Sequence, residues 1–436
     1  MNSRGLGRKI LHTFATLVFG QGASIAAGIA TAHAFGPAGK GSIAFAGVLL
    51  TFAVTTSDGL KSAIAYQIGT ERRDPHAVWR TSLRAMAVLG PVGTAIFLLL
   101  YLRAPGQPAY LYTAFAFPFS MYVQAIGIVY ILKDRVERIN VQNALTIGGG
   151  YSLAILALVL AFHVSVAVVL GVWVAGYAAA ALWNTFGLAN LLGPAGALAP
   201  VPGLAREQIA FASKSALSAT VTFLALRIDV FIVSALLAPA ALGIYTLAIA
   251  SGEVMWQVSP SVIWSASGRV ATLEFADSAA LVARIVRSLV AVQLAVGIAL
   301  FIAGPWLIAH VYGGRFAESG ALLRILLPGL VLYSADGMLS YFIGVRAGRP
   351  VLLLALETVT LVVCGACTLA AVPRYGLAGA ALADTIAYVL SFAVKIFFFN
   401  RIGGIPVGRI LVARPSDVPA GVALRLRRIF PAFVAR

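Results

Sequence analysis

Apolar runs of about twenty residues recur along this chain, separated by short segments rich in Gly, Pro and Arg. A helix rises ~1.5 Å per residue and the hydrocarbon core of a bilayer is ~30 Å thick, so each run is long enough to span it. Candidate spans begin near Ile10, Ser42, Ala85, Ala109, Gln142, Ser165, Ala210, Pro239, Ile285, Ala321, Val351 and Gly376. The pattern predicts an all-α polytopic membrane protein of about twelve transmembrane helices.

Composition agrees. Hydrophobic residues make up 60% of the chain and charged residues only 11%, where a soluble domain has about a quarter charged. The loops are short, which leaves no room for a catalytic domain on either side.

The basic residues set the orientation. With the N-terminus inside, the outer loops hold only Lys40, Arg103, Arg315, Arg324 and Arg374, while Lys61 and Arg227 fall within spans. All the other Lys and Arg lie on the opposite side, a strong positive-inside bias. Both termini are therefore expected in the cytoplasm, with the chain in a bacterial inner membrane. The net charge of +17 then reports topology and attraction to anionic lipid rather than binding to nucleic acid. Arg4, Arg8 and Lys9 before the first apolar run resemble a signal peptide, but the run is longer than a signal h-region, so an uncleaved first helix is expected. Cys364 and Cys367, spaced i,i+3, read as small residues at a helix contact rather than a redox or metal pair.

The chain divides into halves. Pro37-Ala-Gly-Lys-Gly41 recurs as Pro239-Ala-Ala-Leu-Gly243, and both Pro and Gly repeat at an offset of 202 residues. Six spans separate the copies, so this is a parallel repeat with a pseudo-two-fold axis along the membrane normal. The expected organisation is an N-lobe of helices 1–6 (residues 1–192), a cytoplasmic linker (193–208), a C-lobe of helices 7–12 (209–400) and a basic amphipathic cytoplasmic tail (401–436). The linker is rich in Pro and Gly, and the tail mixes Arg425, Arg427 and Arg428 with Leu424, Leu426, Ile429 and Phe430.

Enzyme chemistry has no foothold. The five His are scattered without ligand spacing, no nucleophile–base pair stands out, and no metal or cofactor is expected. The informative residues are ionisable groups within spans, which are costly in lipid and therefore pair or line a cavity. Lys61 and Arg227 are the candidate substrate-binding cations, because an anionic head group needs a counter-charge and a guanidinium grips two oxygens. Glu253, Asp336, Asp229 and Asp58 are the candidate coupling or lumenal carboxylates. Asp58 and Lys61 are i,i+3 and can also neutralise one another, whereas Arg227 and Asp229 at i,i+2 point apart. Glu357 and Asp384 are read as lying near span ends, in solvated or structural roles. Trp256, Trp264, Tyr245 and Tyr333 either line a cavity or serve packing.

Several of these segments resemble a known family. Arg227-Ile-Asp229-Val-Phe-Ile-Val233 followed by Leu242-Gly-Ile-Tyr245-Thr-Leu-Ala248 is similar to a signature of polysaccharide flippases. Phe35-Gly-Pro-Ala-Gly-Lys-Gly41, Ser57-Asp-Gly-Leu60 and Gly344-Val-Arg-Ala-Gly-Arg-Pro350 resemble further motifs in the same order. The family is the Wzx-type oligosaccharide flippases of the multidrug/oligosaccharidyl-lipid/polysaccharide (MOP) exporter superfamily, and the likeness runs over residues 10–400. Lys40 and Ser42 depart from its pattern. The resemblance implies two six-helix lobes around a cavity open alternately to either side. It also implies a lipid-linked oligosaccharide substrate on undecaprenyl diphosphate, and a polysaccharide polymerase and glycosyltransferases as partners besides membrane lipids. The alternatives are a cation-coupled multidrug exporter of the same superfamily and, from another class, a membrane glycosyltransferase or polymerase.

Overall fold

The computed structural model describes residues 3–146, 149–192 and 201–411. The amphipathic tail segment and the first half of the Pro/Gly-rich linker, residues 193–200, lie outside the described residues. What is described is helical throughout, in fourteen helices with short 3₁₀ and π turns between some of them.

Helix α1 runs Ser3–Ala65, α2 Pro75–Arg103, α3 Pro108–Leu132, α4 Val136–Thr146, α5 Gly149–Ala161, α6 Val166–Leu192 and α7 Leu204–Leu236. Then come α8 Pro239–Glu253, α9 Val258–Thr272, α10 Phe275–Tyr312, α11 Ala317–Tyr333, α12 Asp336–Tyr341, α13 Pro350–Gly403 and α14 Val407–Leu411. Nine helical stretches among the described residues are long and apolar enough to cross a bilayer. Two of them, Phe19–Thr70 and Pro350–Gly403, have 52 and 54 residues, at ~1.5 Å per residue enough for two crossings each.

Each of those two long stretches breaks at a glycine. Gly36 has φ 62° and ψ −169°, and Gly376 has φ 56° and ψ −135°. Side chains bar other residues from that region, so glycine places the bend. The bends fall where the sequence predicts the ends of spans one and eleven. With α8–α9 as a further crossing, the architecture is the all-α, multi-pass bundle expected of about twelve spans.

Several helices begin earlier than the apolar pattern implies. α2 starts at Pro75, not near Ala85, and α10 at Phe275, not near Ile285. Charge excludes a residue from hydrocarbon but not from a helix, since Arg and Ala are both good helix formers. At α2 the start is fixed by Asp74, whose carboxylate accepts from the backbone N–H of Ala77 at 3.0 Å, and by Pro75 in the first turn.

By backbone packing the chain forms two compact units. One comprises the described residues of Met1–Thr246 with Val311–Arg315; the other comprises those of Leu247–His310 with Phe316–Arg436. In the first, α3 is the central element: Ala109, Ala114, Ala116 and Ala125 are fully buried, and α1, α2 and α6 pack around it. Small residues let helix backbones approach where lipid supplies no hydrophobic drive for association. The core of the second is built by Val282, Val286, Leu339, Phe342, Phe392 and Phe399. The outer surfaces carry Leu102, Ile302 and Val351, each more than two-thirds exposed, as lipid-facing positions require.

Candidate functional site

Three groups of ionisable side chains sit at membrane depth. The first is Asp58 with Lys61 on α1. The Lys61 Nζ donates to Asp58 Oδ1 at 3.0 Å, and both side chains remain about a third exposed, at 36% and 34%. Around them Thr51, Thr55 and Ser62 recur at helical spacing, none of them buried. Thr51 donates its hydroxyl hydrogen to the Gly47 carbonyl and Thr55 to the Thr51 carbonyl, both at 2.8 Å. The donors are thus spent on the helix's own backbone, and the oxygens face outward as acceptors. An accessible polar ladder inside an apolar span calls for water or a polar ligand, not lipid chains.

The second group is Asp229 on α7 with Tyr245 on α8. Both are fully buried, and the phenol donates to Asp229 Oδ2 at 2.7 Å. Asp229 is therefore a buried acceptor rather than a lumenal carboxylate, and Tyr245 is its donor rather than a cavity wall. Arg227, two residues earlier, is half-buried and interacts within the protein.

The third group brings together Asp336, Glu357 and Lys395. The Lys395 ammonium is fully buried and donates to Asp336 Oδ2 at 2.5 Å and to Glu357 Oε1 at 2.7 Å. Asp336 also accepts from the hydroxyls of Ser391 at 3.1 Å and Ser340 at 3.3 Å. Glu357 Oε2 is buried with no hydrogen-bond partner among the described residues. The Tyr333 ring lies 5.9 Å from the ammonium and packs at a tilt against the rings of Trp256 and Tyr388. One cation faces two carboxylates, so the cluster is net negative when all three are charged and neutral when it holds one further proton.

Two sequence expectations are corrected here. Lys395 is counted with the cytoplasmic cations by charge placement, yet it is a core residue of α13. The signal that would have found it is its setting: Ile396, Phe397, Phe398 and Phe399 follow it, four apolar residues where a span-end cation would meet water. Glu357 and Asp384 are read as solvated or structural near span ends; at 4% and 1% exposed they are not solvated, and the structural role is the one that remains. Asp384 accepts from the Cys364 thiol at 3.4 Å, which gives that buried cysteine a partner other than Cys367. Glu253 closes α8 where the helix tightens into a 3₁₀ turn, partly buried and engaged within the protein. Trp264 is 79% exposed and lines no core.

No protein-family model matches the chain, and no curated protein sequence matches it. Solved structures do. An inward-facing multidrug resistance MATE family transporter of the MOP superfamily is similar with a TM-score of 0.65 and 17% identity, over 88% of this chain and 96% of that one. The lipid II flippase MurJ, in an inward closed conformation, is similar with a TM-score of 0.64 and 12% identity, over 89% of this chain and 87% of that one. A MATE structure in the straight conformation is 19% identical with a TM-score of 0.59. At such identities the likeness is one of fold: this multi-pass membrane protein has the fold of the MOP-superfamily transporters.

Proposed function

We propose that the chain is a flippase carrying undecaprenyl-diphosphate-linked oligosaccharide from the inner to the outer leaflet of a bacterial inner membrane, for surface-polysaccharide assembly. The observation that carries this reading is the accessible ladder of Thr51, Thr55, Asp58, Lys61 and Ser62 at membrane depth. Sugar hydroxyls are donors, and the threonine oxygens offer acceptors; a diphosphate is an anion, and Lys61 offers a cation. A glycan–diphosphate head cannot cross hydrocarbon unaided, because each unpaired polar group costs several kcal/mol there (~2–7 by transfer). A polar, cationic wall replaces its water. The shared fold with a lipid II flippase supports the same reading.

In this reading both termini lie in the cytoplasm, Arg227 assists in holding the diphosphate, and the carrier's return is driven by a proton taken up at Lys395, Asp336 and Glu357. A polymerase and glycosyltransferases of the same assembly line are its natural partners. The second reading, a cation-coupled multidrug exporter, draws support from the MATE structures.

Reconstituted liposomes test the choice. A fluorescent undecaprenyl-diphosphate oligosaccharide is expected to cross the bilayer with wild-type protein, and to cross slowly or not at all with Lys61→Ala or Arg227→Ala. Cationic dyes moving in place of every lipid-linked sugar would overturn the flippase and favour the exporter.

A further inference from the structure

Within the first unit a cleft runs between α2 and α7, on the side of α1 away from the polar ladder. Its mouth, with a volume of about 640 Å³, is lined by Arg80, Arg84 and Arg206. It continues, through the shared wall residues Ala85, Leu89, Gln208 and Ile209, into an apolar groove of about 440 Å³. Val92, Ile96, Phe97, Phe117 and Met121 line that groove. On α2 the lining residues follow one another at helical spacing from Arg80 and Arg84 to Ile96 and Phe97. At ~1.5 Å per residue the distance from Arg84 to Phe97 is about 20 Å, and one leaflet's hydrocarbon is ~15 Å deep. A cationic mouth on an apolar slot of leaflet depth has the outline of a lipid.

Two details sharpen the occupant. Arg84 and Arg206 are exposed and make no ion pair among the described residues, so the mouth carries uncompensated positive charge. Gln208 is 1% exposed, and its Nε2 donates to the Ser82 hydroxyl at 2.8 Å. Its Oε1 has no hydrogen-bond partner among the described residues, and Gln208 lines both mouth and groove. A buried, unmatched acceptor calls for a donor on the ligand. Within the slot the hydroxyls of Thr56 and Ser57 donate to the Ala53 carbonyl and that of Ser213 to the Ala210 carbonyl.

We propose that this cleft is a binding site for an anionic phospholipid whose head carries a hydroxyl, such as phosphatidylglycerol. The phosphate meets Arg84 and Arg206, a head-group hydroxyl donates to Gln208 Oε1, and one acyl chain lies along Leu89, Val92 and Ile96. The ligand belongs to the bilayer and is not the cargo. On α1 the cleft-lining positions 52, 53, 56, 57 and 60 point roughly 160° from the ladder at 51, 55, 58 and 62, at 3.6 residues per turn. By the positive-inside orientation, the lipid is one of the cytoplasmic leaflet.

Native mass spectrometry of the full-length protein, titrated separately with phosphatidylglycerol, phosphatidylcholine and undecaprenyl diphosphate, tests this. Wild type is expected to retain one phosphatidylglycerol in preference to the other two. Arg84→Ala with Arg206→Ala is expected to lose on the order of tenfold in that retention, as two phosphate-facing cations contribute. Leu89→Trp, which fills the slot and leaves the cations in place, is expected to weaken it too, and Arg135→Ala to leave it unchanged. Circular dichroism and a monodisperse elution profile check that each variant is folded. Equal retention of phosphatidylglycerol and phosphatidylcholine by wild type would overturn the proposal, as would full retention by the folded double variant. Preferential retention of undecaprenyl diphosphate would overturn it in favour of a cargo-entry site.

Discussion

Gly41 and Gly243 pack against one another so closely that neither tolerates a side chain. A Cβ on Gly41 would lie 2.9 Å from the Gly243 nitrogen and overlap the Pro239 carbonyl; a Cβ on Gly243 would lie 2.9 Å from the Gly41 nitrogen and overlap the Pro37 carbonyl. The contact is reciprocal, as a two-fold relation between two copies of one motif requires. The repeated Pro-Ala-x-x-Gly segments are thus each other's partners. Gly41→Ala or Gly243→Ala should lower the thermal midpoint of the purified protein, at a cost of about 1–3 kcal/mol from overpacking. Gly47→Ala is the control, because a Cβ there meets nothing within 4 Å. Equal midpoints for all three would show that the contact is slack.

Lys395→Met should be severe. It leaves Asp336 and Glu357 buried together with no counter-charge, and breaking a buried pair from one side costs about 3–5 kcal/mol. Removing all three charges, with Asp336→Asn and Glu357→Gln added, should recover much of that stability and abolish any proton-driven step. Scanning fluorimetry reads the first effect and transport against an imposed pH gradient the second. A triple variant no more stable than Lys395→Met would sink the pairing account.

Tyr245→Phe removes one oxygen and strips the buried Asp229 carboxylate of its 2.7 Å donor. A hydrogen bond to a charged group contributes about 1.5–3 kcal/mol, and unfolding in mild denaturant should show a loss of that order. An unchanged midpoint would mean that other partners of Asp229 suffice.

The Asp58–Lys61 pair should behave in the opposite way. Both side chains are about a third exposed, and such pairs contribute only ~0–1 kcal/mol. Lys61→Ala should therefore leave the melting temperature almost unchanged while it slows translocation. A large loss of stability with transport preserved would make the pair structural.

Gly376→Ala isolates backbone strain. Nothing lies within 4 Å of a Cβ there, yet φ is +56°, so a loss of about 1–3 kcal/mol would come from conformation alone. A melt indistinguishable from wild type would show that the bend relaxes freely.

The helical, membrane-crossing character of this chain is legible in its residues taken one at a time, because transfer into lipid is a local property that sums over twenty neighbours. The repeat at Pro37 and Pro239 was legible for the same reason, as was the local pair of Asp58 and Lys61, three residues apart on one turn. Lys395 shows where that kind of reading stops. Its charge alone argued for water, and only the arrival of Asp336 and Glu357, 59 and 38 residues away, makes its burial tolerable. The reciprocal packing of the two glycines was hidden likewise, and so was the cleft whose cationic mouth and apolar slot come from helices more than a hundred residues apart in sequence. Hydropathy is set by each residue's own chemistry; the partner of a buried charge, or the far wall of a groove, is set by which helix faces meet, and that is decided by the packing of the whole bundle.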